Sequence, residues 1–390
     1  MMSRNLRHFR VFLAVADLHS PTQAAVACGV SQPAVTQSLG KLENEAGGPL
    51  FERTRQGFFL TERGALFEAR LRRAMTRLDT SLSEVSPRLI LTATAAQLTA
   101  LIAMTEAQNF TLAARRLGLA QPTVHRAIAQ IEQEAPRPMF ERTSFGMVPT
   151  RPCQRLAQAA RLAFSEFDQA AAELAEFDGR EVGRIVVGAL PLSRSVLLPA
   201  ALARFHAARP RQRVTVLDGR YDDLLGGIRR GDVDVMIGAL RDPLPIADVT
   251  QESLFDDHLA FVAGPEHPLA GARDVPLDGL TAYSWVVPRS GTPSRSQFDA
   301  LFVERGLPMP DRLLECGSIL MMRELLRRGA GLGCISGKQA EAEIANGLLV
   351  RVKAGIEWPG RPIGLTYRAE WVPTKAQAQL LDLIRDEARA

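Results

Sequence analysis

Residues 20–53 read SPTQAAVACGVSQPAVTQSLGKLENEAGGPLFER, and their pattern is helix, tight turn, helix, then the start of a β-hairpin wing. Ser20 is placed to cap the first helix, with Pro21 at its first position and Gln23 spaced to complete a capping box. Ala24 and Ala25 are small enough for a second helix to cross closely, and Gly29 supplies the turn between the two. Ser31 is the expected cap of the second helix, whose first turn tolerates Pro33 because that position has no helical N–H partner. Val35, Leu39 and Leu42 recur at helical spacing and should face a core. Gln32, Thr36, Gln37 and Lys41 remain on the open face, two amides, a hydroxyl and a cation. Such groups suit base edges and phosphates in a major groove.

The pattern returns 89 residues later without a gap. Residues 109–142 read NFTLAARRLGLAQPTVHRAIAQIEQEAPRPMFER. Ala24, Ala25, Gly29, Gln32, Pro33, Val35, Glu43, Glu45 and Pro49 match Ala113, Ala114, Gly118, Gln121, Pro122, Val124, Glu132, Glu134 and Pro138. Phe51, Glu52, Arg53, Thr54, Gly57 and Thr61 likewise match Phe140, Glu141, Arg142, Thr143, Gly146 and Thr150. An ungapped match of this kind reads as a duplication. Two copies are too few for a stacked solenoid, so two separate winged-helix units are expected.

AAxxxGVSQPAVTQSLGKLE followed by PLFERTRQGFFLT resembles the DNA-binding domain of LysR-type transcriptional regulators. The likeness covers the first unit almost end to end and the second with more departures; the family usually carries one such domain. The residues expected on double-stranded DNA are Ser31, Gln32, Pro33, Thr36, Gln37 and Lys41, with Arg53 and Arg55 on the wing. In the second unit they are Gln121, Pro122, His125, Arg126 and Gln130. Because His125 and Arg126 stand where the first unit has Thr36 and Gln37, the two units should not read the same bases. Arg126 suits guanine O6/N7 or a phosphate. Arg53 is as readily an ion-pair partner as a DNA contact, since Arg142 repeats it, whereas Arg55 becomes Ser144 and is the sharper candidate. The second unit either lengthens the operator or serves as a packing module; the reading adopted is that both touch DNA, with the first dominant.

The bulk properties agree. A chain of 390 residues should hold two or three domains, and its 46% hydrophobic content supports ample cores. No apolar run is long enough to span a bilayer. The basic, briefly apolar N-terminus lacks a small-residue cleavage site and fits the first helix of the winged unit, so a cytoplasmic protein is expected. Residues 1–90 hold 12 Lys/Arg against 8 Asp/Glu, whereas residues 91–179 hold 8 against 9. Phosphate neutralisation dominates affinity for DNA, which makes the first unit the better-equipped binder. Cys28, Cys153, Cys316 and Cys334 lack metal-ligand spacing and read as reduced thiols, so neither metal nor cofactor is expected. His8, His19, His125, His206, His258 and His267 are scattered without a triad-like partner motif, so no catalytic set is expected.

Residues 62–84 form a strong helix pattern closed by Pro87, with Leu66, Leu71, Met75, Leu78 and Leu82 as a seam. Residues 152–177 form a second such helix, with Leu156, Leu162, Phe164 and Phe167. The resemblance makes these linker helices, which in the family pair between subunits; with two per chain, pairing within one chain is the alternative. A homo-oligomer, dimer or tetramer, is implied by the resemblance.

From Gly179 onward β and α patterns alternate: RIVVGAL, a helix around LLPAALARFHAARP, RVTVLDG, a helix to Arg230, then DVDVMIGAL. This is βαβαβ with a parallel sheet. GDVDVMIGAL, LFDDHLAFVAGPEHPL and LLRRGAGLGCIS continue the resemblance, here to the LysR-type effector domain, itself similar to periplasmic solute-binding proteins. The expected architecture is multidomain: two α-rich winged helix-turn-helix domains followed by a two-lobed α/β periplasmic-binding-protein-like effector domain. The expected boundaries are 1–64 and 91–153 for the winged units, 65–90 and 154–179 for the linker helices, and 180–390 for the effector domain. Within the last, lobe I spans 180–263 and 346–390, and lobe II spans 264–345.

Ligands of such a fold bind at strand C-termini and helix N-termini, where free N–H groups meet them. Three loops qualify, contributing Leu192, Ser193 and Arg194; Ser290, Gly291 and Thr292; and Ser318, with Arg289 and Arg295 as further charges. Each serine is also a plain helix-cap candidate. Pro191 and Leu192 replace a polar pair that relatives often carry. The LPLSRS loop resembles regulators responding to sugars or sugar acids, so the expected small-molecule effector is a sugar or organic acid. The function expected is a sequence-specific regulator in which ligand shifts a conformational population and so alters DNA binding. The alternative is a ligand-independent DNA-binding protein whose C-terminal domain serves only oligomerisation.

Overall fold

The computed structural model describes residues 3–389 except Phe145, Val196, Pro245, Arg273 and Asp274. It divides into two compact units, residues 1–183 and 184–390.

The first unit opens with α1 (Leu6–Leu18), α2 (Pro21–Ala27), α3 (Gln32–Ala46) and a hairpin of β1 (Phe51–Thr54) and β2 (Gly57–Leu60), followed by the long α4 (Glu62–Val85). A short α5 (Leu89–Thr92) leads to α6 (Ala95–Ala107), α7 (Phe110–Leu117), α8 (Gln121–Glu134), the hairpin β3 (Phe140–Thr143) and β4 (Gly146–Pro149), and the long α9 (Arg151–Phe177). The helix starts follow local chemistry. Ser20 accepts from the Gln23 N–H, Ser31 from Ala34 and Thr61 from Gly64. Ser20 thus caps α2, and among the described residues the Gln23 side chain makes no reciprocal bond; a complete capping box forms at α6, between Thr94 and Gln97.

The wing is anchored the same way in both segments. One oxygen of Glu43 accepts from the Leu50 and Phe51 N–H groups, and Glu132 does the same for Met139 and Phe140. Gly57 and Gly146 lie at φ 138° and 127°, and a Cβ there would stand 2.6 Å and 2.7 Å from the carbonyl oxygens of His19 and Gln108. Those carbonyls accept from Phe58 and Met147, at 2.9 Å and 3.0 Å, so the hairpin is stitched to the end of the unit's first helix.

A single apolar core runs from Leu6 to Leu174 through both segments. Its spine is the pairing of α4 with α9. The ion pairs Arg63–Asp178, Arg73–Glu166 and Glu84–Arg155 advance along α4 as they retreat along α9, so the two helices are antiparallel. Of the expected α4 seam, Leu71, Met75, Leu78 and Leu82 are buried and Leu66 is half-buried; Phe67 and Arg70 are buried there too. The partner of α4 in this structure is therefore α9 of the same chain.

The second unit begins with β5 (Arg184–Ala189), α10 (Pro191–Ser195), α11 (Leu197–Ala208), β6 (Arg213–Asp218), α12 (Tyr221–Arg230), β7 (Val235–Ala239) and β8 (Val249–Asp257). Then come β9 (Leu259–Ala263), α13 (Leu277–Leu280), β10 (Trp285–Val287), α14 (Pro293–Glu304), β11 (Leu313–Glu315), α15 (Ile319–Arg327), β12 (Leu332–Ser336), α16 (Gly337–Ala345) and β13 (Val350–Arg351). The chain ends with β14 (Arg361–Arg368) and α17 (Lys375–Arg389). Two five-stranded sheets result, in the orders β6-β5-β7-β14-β8 and β11-β10-β12-β9-β13. β5 pairs parallel with β6 and β7, as the βαβαβ pattern requires.

The lobe boundaries differ from those read in the sequence. Residues 259–263, assigned to lobe I, form β9, which pairs antiparallel with β12 and β13 in the second sheet. The first crossing is therefore at His258, not at 263–264. The second lies between β13 and β14, not at 345–346, because Val350 and Arg351 still pair with β9. β8 and β9 are separated by His258 alone, so the run reads as one strand; only the pairing partners divide it.

Candidate nucleic-acid interface and effector cleft

The recognition face forms on α3. Burial of Val35, Leu39 and Leu42 turns Ser31, Gln32, Pro33, Thr36, Gln37 and Lys41 to the outside, all six exposed. The Gln32 amide donates to the Thr36 hydroxyl at 3.3 Å, and that hydroxyl donates to the Gln32 carbonyl, so one turn presents an ordered amide–hydroxyl pair. Arg53 and Arg55 are exposed on the wing; the Arg53 guanidinium lies over the Phe58 ring, 5.5 Å from its centre, rather than on an acid. His8 sits behind this face, its imidazole pKa lowered by burial and then by the charge of Lys41.

The second segment repeats the geometry with different groups. Val124, Ile128 and Ile131 are buried, and Gln121, Pro122, His125, Arg126 and Gln130 are exposed. His125 packs on Phe110, ring centres 5.1 Å apart. Gln121 accepts from Thr111, and Gln130 accepts from Gln97 at 2.9 Å, so both amides are tethered within the fold. Ala120 stands where Ser31 caps α3, and α8 begins without a side-chain cap. Phe145, at the tip of the second wing, lies outside the described residues.

In the C-terminal unit the expected ligand residues fall into two groups. Ser193 is fully buried, its hydroxyl donating to the Leu190 and Ile237 carbonyls, and Leu192 is buried. Arg194 pairs with Asp218 at 3.2 Å. This loop faces α16: the Gln339 amide donates to the Pro191 carbonyl and the Ser195 hydroxyl. In the other lobe, Ser290 donates to Glu315 through both its N–H and its hydroxyl, and Arg295 pairs with the same carboxylate. That Arg295 contact and the Ser290 N–H hold the Glu315 pKa below its ordinary range. Thr292 and Ser318 cap α14 and α15. The Arg289 side chain lies against Gly317, its Nε 3.1 Å from where a Cβ would stand. Thus Ser290, Gly291, Thr292 and Ser318 belong to adjoining loops. Among the described residues no hydrogen bond or ion pair joins them to Leu192, Ser193 or Arg194.

Sequence reasoning missed the cluster where the lobes cross. Buried Asp257 accepts from Ser336 at 2.8 Å, from the Lys338 N–H, and from Arg361 at 2.7 Å; Arg361 also reaches Ser294. The signal available was an aspartate closing one strand and an arginine opening another, and nothing local shows that they are paired strand ends.

The family model described as LysR substrate binding domain matches residues 178–389, more than half of the chain. That described as bacterial regulatory helix-turn-helix protein, lysR family, matches residues 6–65 and again 95–154. The chain is a member of the LysR family of transcriptional regulators, with a DNA-binding helix-turn-helix region and a C-terminal ligand-binding domain. It is 33% identical over 384 residues to the HTH-type transcriptional regulator GalR of Pseudomonas putida, covering 98% of this chain and 96% of that one. It is 30% identical over 276 residues to the HTH-type transcriptional regulator CbbR of Xanthobacter flavus, covering 70% and 79%. Among solved structures, a full-length OxyR variant from Pseudomonas aeruginosa matches with a TM-score of 0.54 at 22% identity, covering 75% of this chain and 97% of that one. Full-length CbnR complexed with its target DNA matches at 0.52 and 20%, covering 75% and 99%. These likenesses are of fold. Among the described residues no helix is long and apolar enough to cross a membrane.

Proposed function

We propose that both winged segments contact duplex DNA, the first contributing most of the affinity, and that a small organic acid held in the C-terminal domain alters that binding. The observation that carries the DNA reading is the outward face of Gln32, Thr36, Gln37 and Lys41, matched by Gln121, His125, Arg126 and Gln130 on an equivalent helix. Ser31, Pro33, Pro122, Arg53 and Arg55 border those faces. The charge difference between the segments supports the ranking. Their ungapped match and shared hydrogen bonds support an origin by duplication.

For the ligand, the reading rests on the second lobe. Arg289 beside Gly317 and the N-terminal turns of α14 and α15 offer a cation with backbone N–H donors, a set suited to a carboxylate; the Ser290–Gly291–Thr292 loop and Ser318 frame it, since Ser290 already donates to Glu315 and the Thr292 hydroxyl to the Arg289 carbonyl. Ser193 has its hydroxyl engaged, so Leu192, Ser193 and Arg194 act as a wall rather than as donors in this reading. The two lobes resemble those of periplasmic solute-binding proteins, whose clefts change on ligation, and a population shift would transmit ligation. A thermal-shift screen of small carboxylates against the full chain and against Arg289→Ala tests this. Saturable stabilisation lost in the variant is expected; stabilisation by carboxylates that persists in Arg289→Ala would remove Arg289 from the site.

A further inference from the structure

The interior of the α4–α9 pair holds a charge cluster. Arg70 is 1% exposed yet charged. Its guanidinium donates to Glu173 at 2.6 Å and 3.0 Å, to Gln169 at 2.6 Å and to Glu166 at 3.2 Å. Arg73 adds a second cation on Glu166 at 3.4 Å. Two cations and two carboxylates therefore neutralise each other between the helices.

The 89-residue correspondence shows what other pairings would bring together. If two copies of α4 met in the same register, Arg70 would face Arg77, Thr80 and Glu84 in place of Glu166, Gln169 and Glu173. One carboxylate becomes a second guanidinium. If two copies of α9 met, Ala159 and Leu162 would replace Arg70 and Arg73, leaving buried Glu166 and half-buried Glu173 without those cations. Both homotypic pairs carry an uncompensated charge in a desolvated seam; the α4–α9 pair does not. A charge left unpaired in a seam penalises the pairing that strands it, and specific interfaces use such penalties against wrong partners.

The pairing also sets the geometry of the DNA-binding segments. Antiparallel helices put the two segments at opposite ends of the pair. The first lies by the end of α9, where Arg63 joins Asp178 and donates to the Ala46 carbonyl closing α3. The second lies by the end of α4, where Arg88 approaches Glu134. The 24 residues of α4 span about 36 Å, close to the roughly 34–36 Å between half-sites one turn apart on duplex DNA.

We infer that one chain occupies both half-sites of its operator, through two unlike recognition faces held by the Arg70 cluster, so that the preferred DNA is an asymmetric bipartite duplex rather than a palindrome. The inference rests on the DNA reading above and deepens it.

The test is in vitro selection from a randomised duplex pool with the full chain, the Gln32→Ala/Lys41→Ala variant and the Gln121→Ala/Arg126→Ala variant. The expected motif has two different halves at one fixed spacing, and each variant relaxes one half only. Two identical halves, both relaxed by the first variant, would overturn the inference and leave DNA binding intact. Recovery of no sequence above background would overturn the DNA reading and the inference with it. In a second arm, Arg70→Glu loses most of the roughly 100-fold advantage of a linked two-half duplex over a single half, and adding Glu173→Arg restores it. An unchanged advantage in a folded Arg70→Glu protein would contradict the role given to the cluster.

Discussion

The two winged segments share what a scaffold needs and differ in what a surface shows. Glu43 and Glu132 tie wing to recognition helix through the same pair of N–H groups. Arg72 with Asp17 and Arg161 with Glu106 are equivalent ion pairs, 89 residues apart. Thr61 and Thr150 donate to the carbonyls of Pro49 and Pro138. Outside, Thr36, Gln37, Lys41 and Arg55 give way to His125, Arg126, Gln130 and Ser144. The glutamate and threonine that tie each wing to its neighbours are the same in both, whereas the Ser31 cap is lost as Ala120. On the exposed faces Gln32, Pro33 and Arg53 are kept as Gln121, Pro122 and Arg142, so it is the change at Thr36, Gln37, Lys41 and Arg55 that distinguishes the two surfaces.

The comparison breaks most visibly at the seam. Arg70→Ala leaves buried Glu166 and half-buried Glu173 without their main cation, and a loss of about 3–5 kcal/mol in denaturant unfolding is expected. Ala159, at the equivalent position on α9, is buried and carries no charge, and Ala159→Ser should cost far less. Equal losses at the two positions would contradict the asymmetric seam.

A sharper symmetry is expected at the wing anchors. Glu43→Ala and Glu132→Ala each strand two N–H groups, at about 1–3 kcal/mol each. The two values should agree, because the bonds do; a large effect in one segment only would mean that the segments are not equivalent scaffolds. Smaller still is the cap difference. Ser31→Ala should cost about 1 kcal/mol, and Ala120→Ser should return a similar amount to α8. Chemical denaturation of the single variants checks both.

On DNA, Lys41→Gln should lower the slope of log affinity against log salt by about 1, without changing the bases preferred by the second segment. A final expectation concerns pH. Arg63 and then Arg180 bond the Asp178 carboxylate and lower its pKa from 3.8 to about 2. A depressed carboxylate contributes stability that is present above pH 3.8 and lost as pH falls through about 2. Asp178→Asn should remove that part of the acid dependence; an unaltered acid unfolding curve would show that the exposed pair contributes nothing.

Much of the first unit was legible because its signals are local. Ser20, Ser31 and Thr61 announce helix starts, and the apolar spacing of Val35, Leu39 and Leu42 fixes which face of α3 is open. Arg70 was not legible: on an amphipathic helix an arginine reads as solvent face, and its partners lie 96–103 residues downstream. The lobe crossing at His258 was hidden for a similar reason, since β8 and β9 differ in partner rather than in pattern. Ser193 read as a ligand donor because its acceptor, the Ile237 carbonyl, belongs to another strand.

The most direct measurement is a hydroxyl-radical footprint of the full chain on its selected duplex, compared with that of the Gln121→Ala/Arg126→Ala variant. The account predicts protection over two neighbouring turns, with the variant losing one end and keeping the other. Identical footprints for the two proteins would show that the second recognition face does not touch DNA.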